Sequence, residues 1–258
     1  MIVKTELVTP DIAVKMLEQN KNNRKINRGQ VDLLVRTMKA GGWKLTHQGI
    51  AVYEDGTIAD GQHRLLAIVE SGVTCRLSVA YDLNKNQDVM LAMDSGRQRT
   101  VADSISLSGD KITSIMVTIA KGLEFGYTTG ATGKITHQET AALCVKYSES
   151  LSLSGAILSA KQKGVSIAPV KVAILEAITD GVSEEIAKEF YHTLITGEYD
   201  QAIYRNAIKL RNRLMCENHN GGSYRPTAHA MAYNALISTA KDKIVNRLNK
   251  VIQHRVKL

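Results

Sequence analysis

The chain has 258 residues, of which 44% are hydrophobic and 22% charged, ordinary globular values that exclude disorder and leave length for one large or two small domains. No run approaches the ~20 apolar residues of a spanning helix and the first residues lack a leader's apolar segment, so no membrane partner and a cytoplasmic location are expected. Three cysteines, Cys75, Cys144 and Cys216, with no CxxC pair exclude a disulfide framework and a standard zinc site. The formal charge is +8, and its distribution is uneven: residues 1–200 carry 22 basic and 23 acidic side chains, residues 201–258 carry 11 and 2.

An apolar run from Ile2 to Val8 predicts a strand, ended by Thr9-Pro10, a cap and first-turn proline for a helix reaching about Gln19. Asn20 to Lys25 is polar throughout and reads as a loop. Asn27 and Gln30 then open a helix with Val31, Leu34, Val35 and Met38 on one face, stopping at Gly41-Gly42. Ile50–Tyr53 and Thr57–Ala59 flank Glu54-Asp55-Gly56, a hairpin signal. The second strand runs straight into Asp60-Gly61-Gln62-His63-Arg64 and the periodic apolar positions Leu65, Leu66, Ile68 and Val69. A strand follows at Leu77–Tyr81, then a helix near Asn86–Met93 and the polar turn Asp94–Thr100. From Lys111 the pattern is almost wholly helical, with segments over 136–147, 165–179, 183–196 and 198–216 and a last helix from about Thr227 to the end. This predicts an α+β chain, a small mixed sheet with helices over 1–108 followed by an all-helical domain over 109–258.

Three places carry candidate chemistry. At the first, the strand-to-helix turn at residues 60–64, a helix N-terminus presents backbone N–H groups and a positive dipole end. Gly61 allows close approach, and His63 and Arg64 are expected to converge on one anion, with Asp60 holding Mg²⁺ or acting as a base and His63 handling a proton. The second is the turn before residue 101, where Arg97, Arg99 and Thr100 form another phosphate clamp. The third is the basic C-terminal part. In a helix, Lys243, Arg247, Lys250, His254 and Lys257 would form one stripe, with Ile244, Leu248, Val251 and Ile252 packing inward. Arg205, Lys209, Arg211 and Arg213 form a second basic cluster near Tyr204 and Tyr224. A positive field of this kind attracts nucleic-acid phosphates.

The order Asn23-Arg24-Lys25, helix, strand, Asp55-Gly56 turn, strand, Asp60-Gly61-Gln62-His63-Arg64-Leu65, helix ending at Gly72, then strand resembles the ParB/sulfiredoxin-like superfamily, and more closely its phage and mobile-element members with a DGQHR signature. The resemblance covers roughly the first 105 residues. It implies that Gly61, Gln62, His63 and Arg64 cradle phosphates, with Arg24 reaching in from the preceding loop. It also implies a nucleoside triphosphate, CTP or ATP, with Mg²⁺ in some branches, DNA as partner, and the host cytoplasm as location if the chain is phage-encoded; a homodimer is left open. Sulfiredoxin chemistry is excluded, because Gln62 stands where the nucleophilic cysteine is required. The function expected is a nucleotide- or phosphate-binding protein acting with DNA. The alternative is a Mg-dependent phosphoryl-transfer or hydrolysis enzyme, an NTPase, kinase, nuclease or DNA-modification step, using Asp60 and His63 in the same pocket.

Overall fold

The structure, a computed structural model, describes residues 1–21, 23, 25–85, 100, 102–103, 112–127, 135–216 and 224–252. The chain is α+β and divides into two compact units, residues 1–98 with 133–136, and residues 99–132 with 137–258. No helix among the described residues is long and apolar enough to cross a membrane.

Unit 1 begins with β1 (Ile2–Val8) and α1 (Pro10–Leu17), joined where the Thr9 hydroxyl accepts the Ile12 N–H at 3.2 Å. Helix α2 (Arg28–Lys39) is capped by Asn27, whose Oδ1 accepts the Gln30 N–H at 3.2 Å. Strands β2 (Ile50–Tyr53) and β3 (Ile58–Asp60) form a hairpin whose turn is closed by Asp55 Oδ1, which accepts the Thr57 N–H at 2.9 Å and hydroxyl at 2.6 Å. Helix α3 (Gln62–Ser71) leads to β4 (Cys75–Leu83). The sheet order is β1-β4-β2-β3, with β4 antiparallel to β1 and parallel to β2. One core joins Val31 and Met38 of α2 and Leu65 and Ile68 of α3 to Ile50, Leu77 and Val79 of the sheet. Burying these aliphatic side chains contributes roughly 2 kcal/mol each. It fixes α3 against β2, so the first turn of α3 is held from below.

Unit 2 contains α4 (Ser114–Phe125), α5 (His137–Lys146), α6 (Ser148–Ile157), α7 (Ala168–Thr179), α8 (Glu184–Thr196), a 3₁₀ turn (Ala202–Tyr204), α9 (Arg205–Cys216) and α10 (Tyr224–Ala240). Helices α7 and α10 are apolar on nearly every side, as central helices must be, and pack on one another. Their polar groups meet in pairs: His229 Nε2 lies 2.9 Å from Glu176 Oε2, and the Tyr233 hydroxyl donates to Asp180 Oδ2 at 2.7 Å. Buried Lys171 donates to the Leu158 carbonyl at 2.5 Å, holding the end of α6.

The expected C-terminal helix stops early. It ends at Ala240 because Asp242 takes a left-handed φ of 56°, the Asp242 N–H bonds to the Thr239 carbonyl at 3.0 Å and the Lys243 N–H to the Ser238 carbonyl at 2.8 Å. This is the double bond of a Schellman stop. Residues 241–252 then run back as an irregular strap. Fully buried Asn206 of α9 grips it, donating to the Lys243 carbonyl at 2.8 Å and accepting the Val245 N–H at 2.9 Å. Asn234 of α10 donates to the Asn249 carbonyl at 3.3 Å and the Val251 carbonyl at 3.0 Å.

Candidate phosphate site at the strand-to-helix turn

The β3–α3 turn is built on two close backbone approaches. Gly61 is the cap of α3 with φ 106°, and a Cβ there would stand 3.0 Å from Ile50 Cγ1 and 3.1 Å from Ile50 Cα. Only glycine meets both demands without strain. Beside it, a Cβ on Gly49 would lie 1.6 Å from the Ser78 carbonyl oxygen of β4. That contact lets the Gly49 carbonyl face α3, where it accepts Arg64 Nη1 at 2.9 Å. The same nitrogen lies 3.4 Å from Asp60 Oδ2, in a pair whose side chains are 21% and 44% exposed. Among the described residues nothing else bonds the guanidinium, so Nη2 and Nε of Arg64 keep their donors available at the first turn of a helix whose dipole favours anions.

The loop before α2 is laced to this turn. Asn20 donates to Gln62 Oε1 at 3.2 Å, and Asn23 donates to Asn20 Oδ1 at 2.6 Å and to the Ile58 carbonyl at 2.9 Å. The Ile58 N–H in turn bonds to the Gln19 carbonyl at 3.2 Å. The Asn27 N–H donates to His63 Nε2 at 2.9 Å, so the neutral ring carries its proton on Nδ1. Arg28 forks onto Glu70, Nη1 to Oε1 at 2.8 Å and Nη2 to Oε2 at 2.9 Å, and this holds the Glu70 carboxyl below its usual range. The segment carrying Asn23 and Lys25 is therefore tied next to the β3–α3 turn.

These contacts correct the expectation that His63 and Arg64 share a focus. His63 lies seven residues before Glu70, and both meet the start of α2, whereas Arg64 meets the start of β2. Neighbouring positions on a helix point about 100° apart, which is the physical reason. Gln62 is only 4% exposed, and its Oε1 accepts the Asn20 amide, which ties this side chain to the loop before α2. Among the described residues no group of three His, Cys, Asp or Glu side chains could hold a metal, and Asp60 faces Arg64. Thr100 exchanges bonds with Asp103, its N–H donating to Oδ2 at 2.9 Å and its hydroxyl accepting the Asp103 N–H at 3.1 Å, the reciprocal pattern of a helix start. Arg24, Arg97, Arg99, His254, Lys257 and the helix expected near 86–93 lie outside the described residues.

In unit 2 the expected stripe of Lys243, Arg247 and Lys250 does not form, since the strap that carries them is not helical; they are exposed along it instead. The inward-packing expectation holds for Leu248 and Ile252, which are partly buried against the core, and fails for Ile244 and Val251, which are 46% and 65% exposed. Lys209 is spent on the fold, its Nζ bonded to the Val245 carbonyl, and Arg211 caps α8 through the Leu194 and Ile195 carbonyls at 2.5 and 2.6 Å. Arg205, Arg213 and Arg225 are exposed on α9 and α10. Tyr204 and Tyr224 are core residues, buried rather than offered to bases. Arg247 lines a cavity of about 130 Å³ with Asn234, Ser238 and Asn249.

Sequence reasoning missed Gly49, Asn20 and Asn206. A glycine at a strand start is a signal for close backbone approach, and it was present at Gly49. The two asparagines act across 42 and 37 residues of sequence and left no local trace. No family model, curated protein or solved structure matches the chain.

Proposed function

We propose that this chain is a ParB-like phosphate- or nucleotide-binding protein that acts with DNA in the cytoplasm. Unit 1 takes the phosphates of a nucleoside triphosphate, CTP or ATP, at the β3–α3 turn, with Gly61 and Arg64 as the receptor and Arg24 and Lys25 contributed by the tied loop. Mg²⁺ arrives on the nucleotide, with Asp60 as the adjacent carboxylate. Unit 2 contacts the nucleic-acid backbone through Arg205, Lys243, Arg247 and Lys250, positioning rather than reading sequence.

The observation that supports the reading most is Arg64. It is partly buried and pinned through one nitrogen, with its other donors unclaimed by described protein groups beside a glycine-capped helix start. A guanidinium held in this way loses little freedom on gripping an anion, which favours affinity.

The test is a thermal-shift series with CTP, ATP, GTP and UTP, each with Mg²⁺, on the wild type, Arg24→Ala and Arg64→Ala. One nucleotide at a hundred times its Kd stabilises by ~2.7 kcal/mol. That shift is expected to vanish in both variants, and Arg64→Ala also lowers the unliganded melting temperature because it releases Gly49 and Asp60. A wild type that no triphosphate stabilises defeats the proposal.

A further inference from the structure

Strand β1 is the edge of the four-stranded sheet among the described residues, and apart from the charges of Lys4 and Glu6 it lacks the features that usually keep an edge strand alone. It runs for seven residues, pairs with β4 from Ile2↔Tyr81 to Val8↔Cys75 without a bulge, and contains no proline. Natural edges are shortened, bulged or bent to prevent pairing with another chain. Here Ile2, Val3 and Leu7 are 54%, 58% and 64% exposed along an uninterrupted ladder.

The residue order is self-complementary. Laid antiparallel against a second copy with Thr5 on the two-fold axis, Ile2-Val3-Lys4-Thr5-Glu6-Leu7-Val8 places Lys4 opposite Glu6, Val3 opposite Leu7 and Ile2 opposite Val8, each pair twice. Side chains alternate faces, so the next permitted registers are two residues away in the sum of paired positions. One sets Lys4 against Lys4 at the axis and the other Glu6 against Glu6; like charges directly opposite are destabilising, so the Thr5 register is selected over both. The charged pair is already prepared. Glu6 Oε2 accepts the Tyr81 hydroxyl at 2.8 Å and the Lys4 ammonium lies 5.8 Å from the same ring, which leaves Glu6 Oε1 for the lysine of the other chain.

We propose that β1 is the docking surface for a second copy of this chain, giving an isologous dimer in which two four-stranded sheets join through antiparallel β1 strands. The occupant is identified by charge: a strand with basic and acidic positions placed symmetrically about its centre fits its own sequence reversed.

The experiment is sedimentation equilibrium of the full chain, with melting temperature and circular dichroism read on each variant. The wild type is expected to dimerise. Lys4→Glu and Glu6→Lys are each expected to weaken the dimer by about tenfold or more by setting like charges opposite twice, and the double exchange Lys4→Glu with Glu6→Lys to restore it. Because Glu6→Lys also removes the Tyr81 bond, Val3→Glu on the open face serves as a second variant; it leaves the monomer's contacts in place and weakens the dimer. A wild type that stays monomeric at about 100 μM overturns the proposal, as does a dimer indifferent to the single charge changes or one that the double exchange fails to restore in a folded chain.

Discussion

Replacing Gly49 by alanine tests the framework of the candidate site most directly. The new Cβ would lie 1.6 Å from the Ser78 carbonyl oxygen and 2.5 Å from its carbon, and neither is the movable end of a side chain. Van der Waals contact for such a pair is roughly 3.2 to 3.5 Å, so β2 and β4 have to part by more than an ångström where their parallel pairing begins, at Ile50↔Val79. Overpacking alone costs about 1–3 kcal/mol. Breaking the first ladder bonds and the Arg64 bond to the Gly49 carbonyl adds about 1 kcal/mol each, for a total of about 3–5 kcal/mol. That is a third or more of a typical domain's stability. Gly61→Ala provides the contrast, meeting Ile50 at 3.0 Å with a positive φ, a milder loss of about 2–3 kcal/mol. Urea denaturation gives the magnitudes, and hydrogen exchange assigns the loss to peptides of β2, β4 and α3 while the helices of unit 2 keep their protection. A Gly49→Ala protein within about 0.5 kcal/mol of wild type, its sheet protection unchanged, would refute the reasoning.

Three further outcomes follow from unit 2. Asn206→Ala removes three hydrogen bonds, to Thr239, Lys243 and Val245, for about 2–3 kcal/mol, and amides of 241–252 exchange at rates approaching those of an unprotected chain. If unit 2 binds duplex DNA, Lys243→Ala and Arg247→Ala each reduce the slope of log affinity against log salt by about 0.9, whereas Lys209→Ala lowers stability first because its ammonium holds the Val245 carbonyl. Burial, with help from Lys161, pushes the Lys171 ammonium below its usual range. Between that lowered value and the unfolded value of about 10.4 the folded state binds fewer protons than the unfolded one, so this residue's contribution to stability rises with pH. The stability difference between wild type and Lys171→Met, measured in urea, therefore shifts toward wild type from pH 7 to pH 10.

Local signals were legible where a boundary is set by residues a few positions apart. Thr9-Pro10, Asn27 with Gln30, Asp55-Gly56 and the apolar face of α3 each fix an element through contacts within one turn, and those elements stand where the chain predicts them. Strand β4 is longer than its apolar run from Leu77 to Tyr81, because β1 pairs with it as far as Cys75, and the alternation of buried Cys75, Leu77 and Val79 with exposed Arg76 was the signal that a search for a continuous apolar run passed over. The C-terminal helix failed for a related reason. Neither glycine nor proline marks its stop, only Asp242 in a left-handed conformation, and the strap is then captured by Asn206 from 37 residues away. At the candidate site the composition of the turn was readable, but the directions of its side chains were not. His63 and Arg64 are adjacent letters serving different neighbours, one at the start of α2 and the other at the start of β2.

Asp60 separates two chemistries that the turn can support. Its carboxylate lies 3.4 Å from Arg64 and is nearly half exposed, so as a stabilising pair it contributes under ~1 kcal/mol and Asp60→Asn leaves the fold intact. For an incoming phosphate the same carboxylate is a competitor: a negative charge about 5 Å away opposes a second by roughly 1–3 kcal/mol at the screening of a protein surface. If the site is an anion receptor, Asp60→Asn therefore tightens metal-free nucleotide or inorganic pyrophosphate binding by about tenfold, read by calorimetry in EDTA. If Asp60 instead holds Mg²⁺ for phosphoryl transfer, the same change still relieves the repulsion in EDTA, but with the metal present it loosens the Mg-nucleotide complex and removes turnover. The sign of the change with Mg²⁺ present decides between them, because in EDTA only the repulsion is left to remove and binding tightens under both chemistries.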